Sequence, residues 1–119
     1  MFRISKHKLA KEAYHLRVRP EDVAQRVVVV GDPGRARLLA EKLLSNPRLV
    51  TENRGFVTYT GDFNGTRVTV ATHGIGAPSA AIVFEEIAML GAKVIVRLGT
   101  CGGLKAGIEP GDVVVVEGA

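Results

Sequence analysis

A chain of 119 residues can bury one core, as a small domain or as a piece of a larger one. No apolar run approaches the roughly 18 residues that a membrane helix needs, and the basic start lacks the apolar stretch of a secretory leader. A single cysteine, Cys101, excludes an internal disulfide framework and fits a reducing, cytoplasmic compartment.

The net charge of +4 is unevenly spread. Residues 1–19 hold six Lys/Arg against Glu12 alone, whereas residues 20–119 hold 10 Lys/Arg and 11 Asp/Glu. The basic balance therefore belongs to an N-terminal arm, expected to be solvated, and residues 20–119 form the body. Such an arm could touch nucleic acid. The slightly acidic body, with 5% aromatic residues and no Trp, gives that reading little support.

In chain order, residues 26–31 read R-V-V-V-V-G, the habit of a strand buried on both faces. Asp32-Pro33-Gly34 breaks it. Residues 35–44 predict a helix with Leu38, Leu39, Ala40 and Leu43 inward, ended by Asn46-Pro47. A short strand follows at 49–52. Strands at 56–62 and 66–72 are joined by Asn64-Gly65, a hairpin signal because both positions tolerate positive φ. His73-Gly74-Ile75-Gly76 makes a turn. Residues 77–90 predict a helix with Ala80, Val83, Phe84, Ile87 and Leu90 inward and Glu85-Glu86 outward. Residues 93–98 predict another buried strand, then a glycine-rich turn at 99–103. D-V-V-V-V-E at 112–117 predicts a last strand. The fold class is α/β, a mixed central sheet flanked by helices. An apolar strand so close to Ala119 reads as a domain cut near its middle.

Three glycine-containing turns, at 31–35, 73–76 and 99–103, each follow a predicted strand. Ligands in α/β sheets collect where such turns gather. Arginines beside two of them suit an anion, since guanidinium matches phosphate oxygens in pairs. Neither G-x-x-x-x-G-K-[ST] nor G-x-G-x-x-G occurs. Arg97 lies in the apolar run V-I-V-R-L-G. It must reach an edge, pair with an acid or hold a ligand, and these alternatives stay open on the residues alone. Asp32 is expected to organise its own turn, and His73 to be a turn or core histidine.

G-D-P-G-R at 31–35, N-R-G at 53–55, H-G-I-G at 73–76 and R-L-G-T-C-G at 97–102 occur together in order. This set resembles the nucleoside phosphorylase family, in the branch holding hexameric bacterial-type purine nucleoside phosphorylases and uridine phosphorylases. The resemblance runs from about His15 to the last residue and covers the N-terminal half of the family domain. It implies phosphate contacts from Gly31, Arg35, Arg97 and Thr100. It also implies that Arg54 reaches the phosphate of a neighbouring subunit and that His15 meets the ribose 5′-hydroxyl across the same interface. Ile75 would lie beside the sugar, and Cys101 and Gly102 would line the base pocket.

The resemblance further implies a homo-oligomer of dimers, a hexamer, with nucleoside and inorganic phosphate as substrates and no metal or other cofactor. The acid that assists the leaving base would belong to the C-terminal half. Arg54-Gly55 and Cys101 favour purine nucleosides, whereas Tyr14-His15-Leu16 and Leu98-Gly99-Thr100 lean toward uridine. A polypeptide of these residues alone is expected to bind phosphate weakly and to turn nucleoside over poorly or not at all. The alternative is a non-catalytic fragment that binds phosphate or self-assembles.

Overall fold

The computed structural model of the chain describes residues 11–118. The run of valines forms strand β1 (Arg26–Val30), and alternation sends its side chains to opposite faces. Val27 and Val29 enter one apolar cluster, and Val28 and Val30 join the other. A strand with two buried faces must sit inside a sheet. β1 does so, between β4 (Thr66–Thr72) and β5 (Val94–Arg97), parallel to both.

β2 (Ser45–Asn53) and β3 (Phe56–Phe63) continue the sheet antiparallel beyond β4, giving the order β2-β3-β4-β1-β5. Helix α1 (Pro33–Leu43) contributes Ala36 and Ala40 to the cluster around Val30 and Val70. Helix α2 (Ala77–Met89) contributes Val83 and Ile87 to the cluster around Val27, Val29 and Ala71. The expected mixed sheet with flanking helices is therefore present. Among the described residues no helix is long and apolar enough to cross a membrane.

Several local expectations need correction. Helix α1 packs through Ala36, Leu39 and Ala40, while Leu38 and Leu43 are about half exposed, at 52% and 53%. β2 is longer than expected and runs through Asn46-Pro47. Asn46 adopts φ +50° and the pairing slips between Ser45 and Arg48, a bulge that a sheet edge accommodates. β5 is the opposite edge rather than a buried strand, with Val94 and Val96 exposed.

Residues 112–117 form no strand. An apolar run becomes a strand only against a partner, and the four valines at 113–116 are 60–87% exposed. The Asn64-Gly65 hairpin is present as expected, with φ +49° and +77°. Arg54-Gly55 makes a second turn of the same kind, at +54° and +78°.

The second part of the basic arm keeps its charged side chains Lys11, Arg17 and Arg19 in solvent but anchors its apolar ones. Ala13, Leu16 and Val18 are at most 2% exposed and belong to the cluster over α2. Residues 1–10, the rest of the arm, lie outside the described residues.

Candidate functional site

The topology decides where the chemistry gathers. β1, β4 and β5 are parallel neighbours, so Gly31, His73-Gly74 and Leu98-Gly99 leave the sheet along one rim. β3 runs antiparallel to β4 and starts at Phe56, which brings the Arg54-Gly55 turn to that same rim. A cleft of about 600 Å³ opens there. Gly31, Arg35, Arg54, Ile75, Arg97 and Thr100 all line it, joined by Asp32, Thr72, Gly74 and Ser79. Three guanidinium groups thus meet one carboxylate.

That carboxylate is already engaged. Asp32 caps α1 as expected, accepting from the backbone N–H groups of Gly34 at 3.1 Å and Arg35 at 3.0 Å. The capping occupies two of the N–H groups that an anion would otherwise find at the start of this helix. The positive character of the cleft therefore comes mainly from side chains. Arg37 and Arg48, away from the cleft, pair with Glu52 and Asp22 at 2.8 and 2.6 Å. Arg35, Arg54 and Arg97 make no ion pair among the described residues.

Arg97 resolves in favour of an edge position that opens on the cleft. Its Nε donates to Nε2 of His73 at 3.1 Å, and its guanidinium packs over Gly99, where any side chain would displace it. His73 is 4% exposed. Burial first, and then the Arg97 charge, hold its pKa below the ordinary 6.5, so the ring is neutral at neutral pH and free to accept. Nδ1 then carries the hydrogen and has no hydrogen-bond partner among the described residues. Gly74 adopts φ +73°, and a Cβ there would stand 2.8 Å from Ser79 Oγ, which donates to the His73 carbonyl at 2.6 Å. The turn is tight because glycine alone fits it.

Two residues of interest were not read from the sequence. Thr72 is 1% exposed, lines the cleft and offers a hydroxyl without a protein partner among the described residues. Its position just before His73-Gly74 was the only signal. Glu86 is 5% exposed rather than outward, and receives the backbone N–H groups of His15 and Leu16. It lies three residues after Val83 and four before Leu90, on the buried stripe of α2. The burial is tolerable because the carboxylate is fully engaged in hydrogen bonds.

Three sequence-selected residues lie outside the cleft lining. His15 packs against Glu86, and Cys101 and Gly102 occupy exposed, irregular chain.

The arginine-lined cleft lies at the carboxyl ends of the parallel strands, the place where open α/β sheets hold their ligands. The chain belongs to the Phosphorylase superfamily, which matches residues 25–119. It is 42% identical to a guanosine phosphorylase of Halorubrum lacusprofundi over 105 residues, covering 88% of this chain and 43% of that protein. It is also 42% identical to a uridine phosphorylase of Treponema pallidum over 106 residues, covering 89% and 41%. The structure of a purine nucleoside phosphorylase from Toxoplasma gondii in complex with immucillin-H superimposes with a TM-score of 0.78 at 39% identity, covering 84% and 40%. The chain thus spans about two fifths of the length of these relatives.

Proposed function

We propose that this chain supplies the phosphate side of a nucleoside phosphorolysis site, in which inorganic phosphate cleaves the N-glycosidic bond of a purine nucleoside. The observation that carries the reading is that Arg35, in the first turn of α1, and Arg97, at the end of β5, line one cleft with neither in an ion pair among the described residues. In the reaction a phosphate oxygen bonds to C1′ of the ribose, and the C1′–N bond breaks with its electron pair leaving on the base. Phosphate is a poor, strongly hydrated nucleophile. Fixed cationic donors strip and aim it, each worth about 4 kcal/mol at 4 Å and an effective dielectric near 20. The bound dianion in turn stabilises the positive charge that develops on the sugar.

In this reading Gly31 offers a backbone N–H, Arg35, Arg54 and Arg97 offer guanidinium groups, and Thr100 offers a hydroxyl. Ile75 flanks the sugar, and Cys101 and Gly102 border the base. His15 does not line its own chain's cleft, and it is assigned to the ribose 5′-hydroxyl in a second copy, within a homo-oligomer. Arg54 lines the cleft of its own chain; reaching a neighbouring subunit's phosphate would require it to extend from that rim across the interface. No metal is invoked. Uridine is the second reading, because the guanosine and uridine relatives are equally similar to this chain.

Thermal unfolding in rising inorganic phosphate tests the proposal. The midpoint should climb for the wild type and stay flat for Arg97→Ala, with unchanged far-ultraviolet circular dichroism. Protection that survives Arg97→Ala would remove the anion site. Inosine and uridine phosphorolysis then separates the two substrates. The chain alone is expected to be nearly inactive.

A further inference from the structure

Glu86 does more than tolerate burial. Oε1 and Oε2 lie 2.9 and 3.2 Å from the His15 backbone nitrogen, and Oε2 lies 2.9 Å from that of Leu16. Oε1 also stands 2.6 Å from Nδ1 of the His15 ring. A second clamp comes from the other side of the segment, where Asn53 Nδ2 donates to the His15 carbonyl at 2.7 Å. The backbone of His15 is therefore held at both its N–H and its C=O. A carboxylate that already takes backbone donors acts as an acceptor, so the short contact to the ring puts the hydrogen on Nδ1.

The other ring nitrogen, Nε2, makes no hydrogen bond among the described residues, and the side chain is 31% exposed. A neutral imidazole in this tautomer presents a lone pair at Nε2. It therefore suits a partner that donates, such as a hydroxyl, and not one that only accepts.

We infer that Glu86 is a positioning residue, whose carboxylate locks His15 in the Nδ1–H tautomer so that Nε2 accepts a hydrogen bond from a ligand hydroxyl. The identity of that hydroxyl, the ribose 5′-OH in a second copy, rests on the proposed function. The tautomer does not.

Ring nitrogen shifts of the 15N-labelled protein at about pH 8, where an ordinary imidazole is neutral, test the lock directly. His15 should show a protonated Nδ1 and an unprotonated Nε2 in the wild type. In Glu86→Gln the hydrogen should shift toward Nε2, the site that an unrestrained neutral histidine prefers. A protonated Nε2 in the wild type overturns the inference, and so does a pattern unchanged by Glu86→Gln. Should that variant fail to fold, the wild-type shifts still decide the tautomer.

Ligand binding tests the consequence. In the oligomer, inosine should bind about tenfold more tightly than 5′-deoxyinosine. That ratio should fall toward one in Glu86→Gln while phosphate affinity is unchanged. A preserved ratio would overturn the positioning role. Failure of the wild type to bind any nucleoside would remove the ribose 5′-hydroxyl as the partner of Nε2 and leave the tautomer result standing.

Discussion

Nε2 of His73 accepts a hydrogen bond from Nε of Arg97 at 3.1 Å, so a neutral imidazole fixes the edge of a cationic side chain at the rim of the cleft. Fixing Nε leaves the terminal nitrogens of the guanidinium for an anion. The arrangement depends on His73 staying unprotonated, because an imidazolium could not accept and would repel Arg97.

The pKa of His73 is depressed in the folded chain, chiefly by burial and then by Arg97. An unfolded chain therefore takes up this proton first. The associated stability is present in full above about pH 6.5 and declines as pH falls from there toward the folded-state value. Urea midpoints from pH 8 to pH 5 should show a decline that is smaller in His73→Phe. An equal decline in both proteins would show that His73 is not its source.

Arg97→Lys keeps the charge but loses the Nε donor and the planar fork. Losing one charge-assisted hydrogen bond, about 1.5 kcal/mol, should weaken binding of sulfate roughly tenfold. Sulfate is the better probe for calorimetry because its charge is constant across this pH range. Affinity equal to that of the wild type would mean that the charge alone matters at this position.

Gly99→Ala places a methyl group where the Arg97 guanidinium lies. The far end of a flexible side chain can move aside, so the stability change should stay within about 0.5 kcal/mol, as for an ordinary surface substitution. Anion affinity should nonetheless fall, because the guanidinium is re-aimed. Paired thermal-melt and sulfate titrations read both numbers, and unchanged affinity would show that Gly99 does not set the aim of Arg97.

Asp32→Ala separates stability from binding. Removing the cap should destabilise the fold by about 1 kcal/mol. It also frees the N–H groups of Gly34 and Arg35 and removes the one carboxylate that lines the cleft among the described residues. Sulfate should therefore bind more tightly to a less stable protein. Weaker binding would show that Asp32 supports the site instead of opposing it.

The sequence made the scaffold of the cleft readable because its signals are local. Consecutive valines, glycine turns and Asn64-Gly65 each constrain a few neighbouring residues, and they placed β1, β3, β4 and both helices. The residues at 112–117 misled because strand propensity says nothing about whether a partner edge exists. Glu86 misled for a different reason. Its spacing from Val83 and Leu90 already put it on the buried face, but a carboxylate there makes sense only once the N–H groups of His15 and Leu16, some seventy positions away, are known to meet it. Arg97 showed its oddity in the sequence, yet its hydrogen bond to His73 depends on β1 lying between their two strands.

The uncovered valines at 113–116 also govern how this polypeptide behaves in the test tube. A short, uncharged, strand-prone window free of proline is a template for cross-chain pairing, and β5 offers an open ladder edge in the same molecule. Asp112 and Glu117 flank the window as gatekeepers, and their mutual repulsion between stacked copies weakens with added salt. Dilute, low-salt handling is therefore expected to keep the chain dispersed, and concentrated, salty solutions to favour strand pairing between chains.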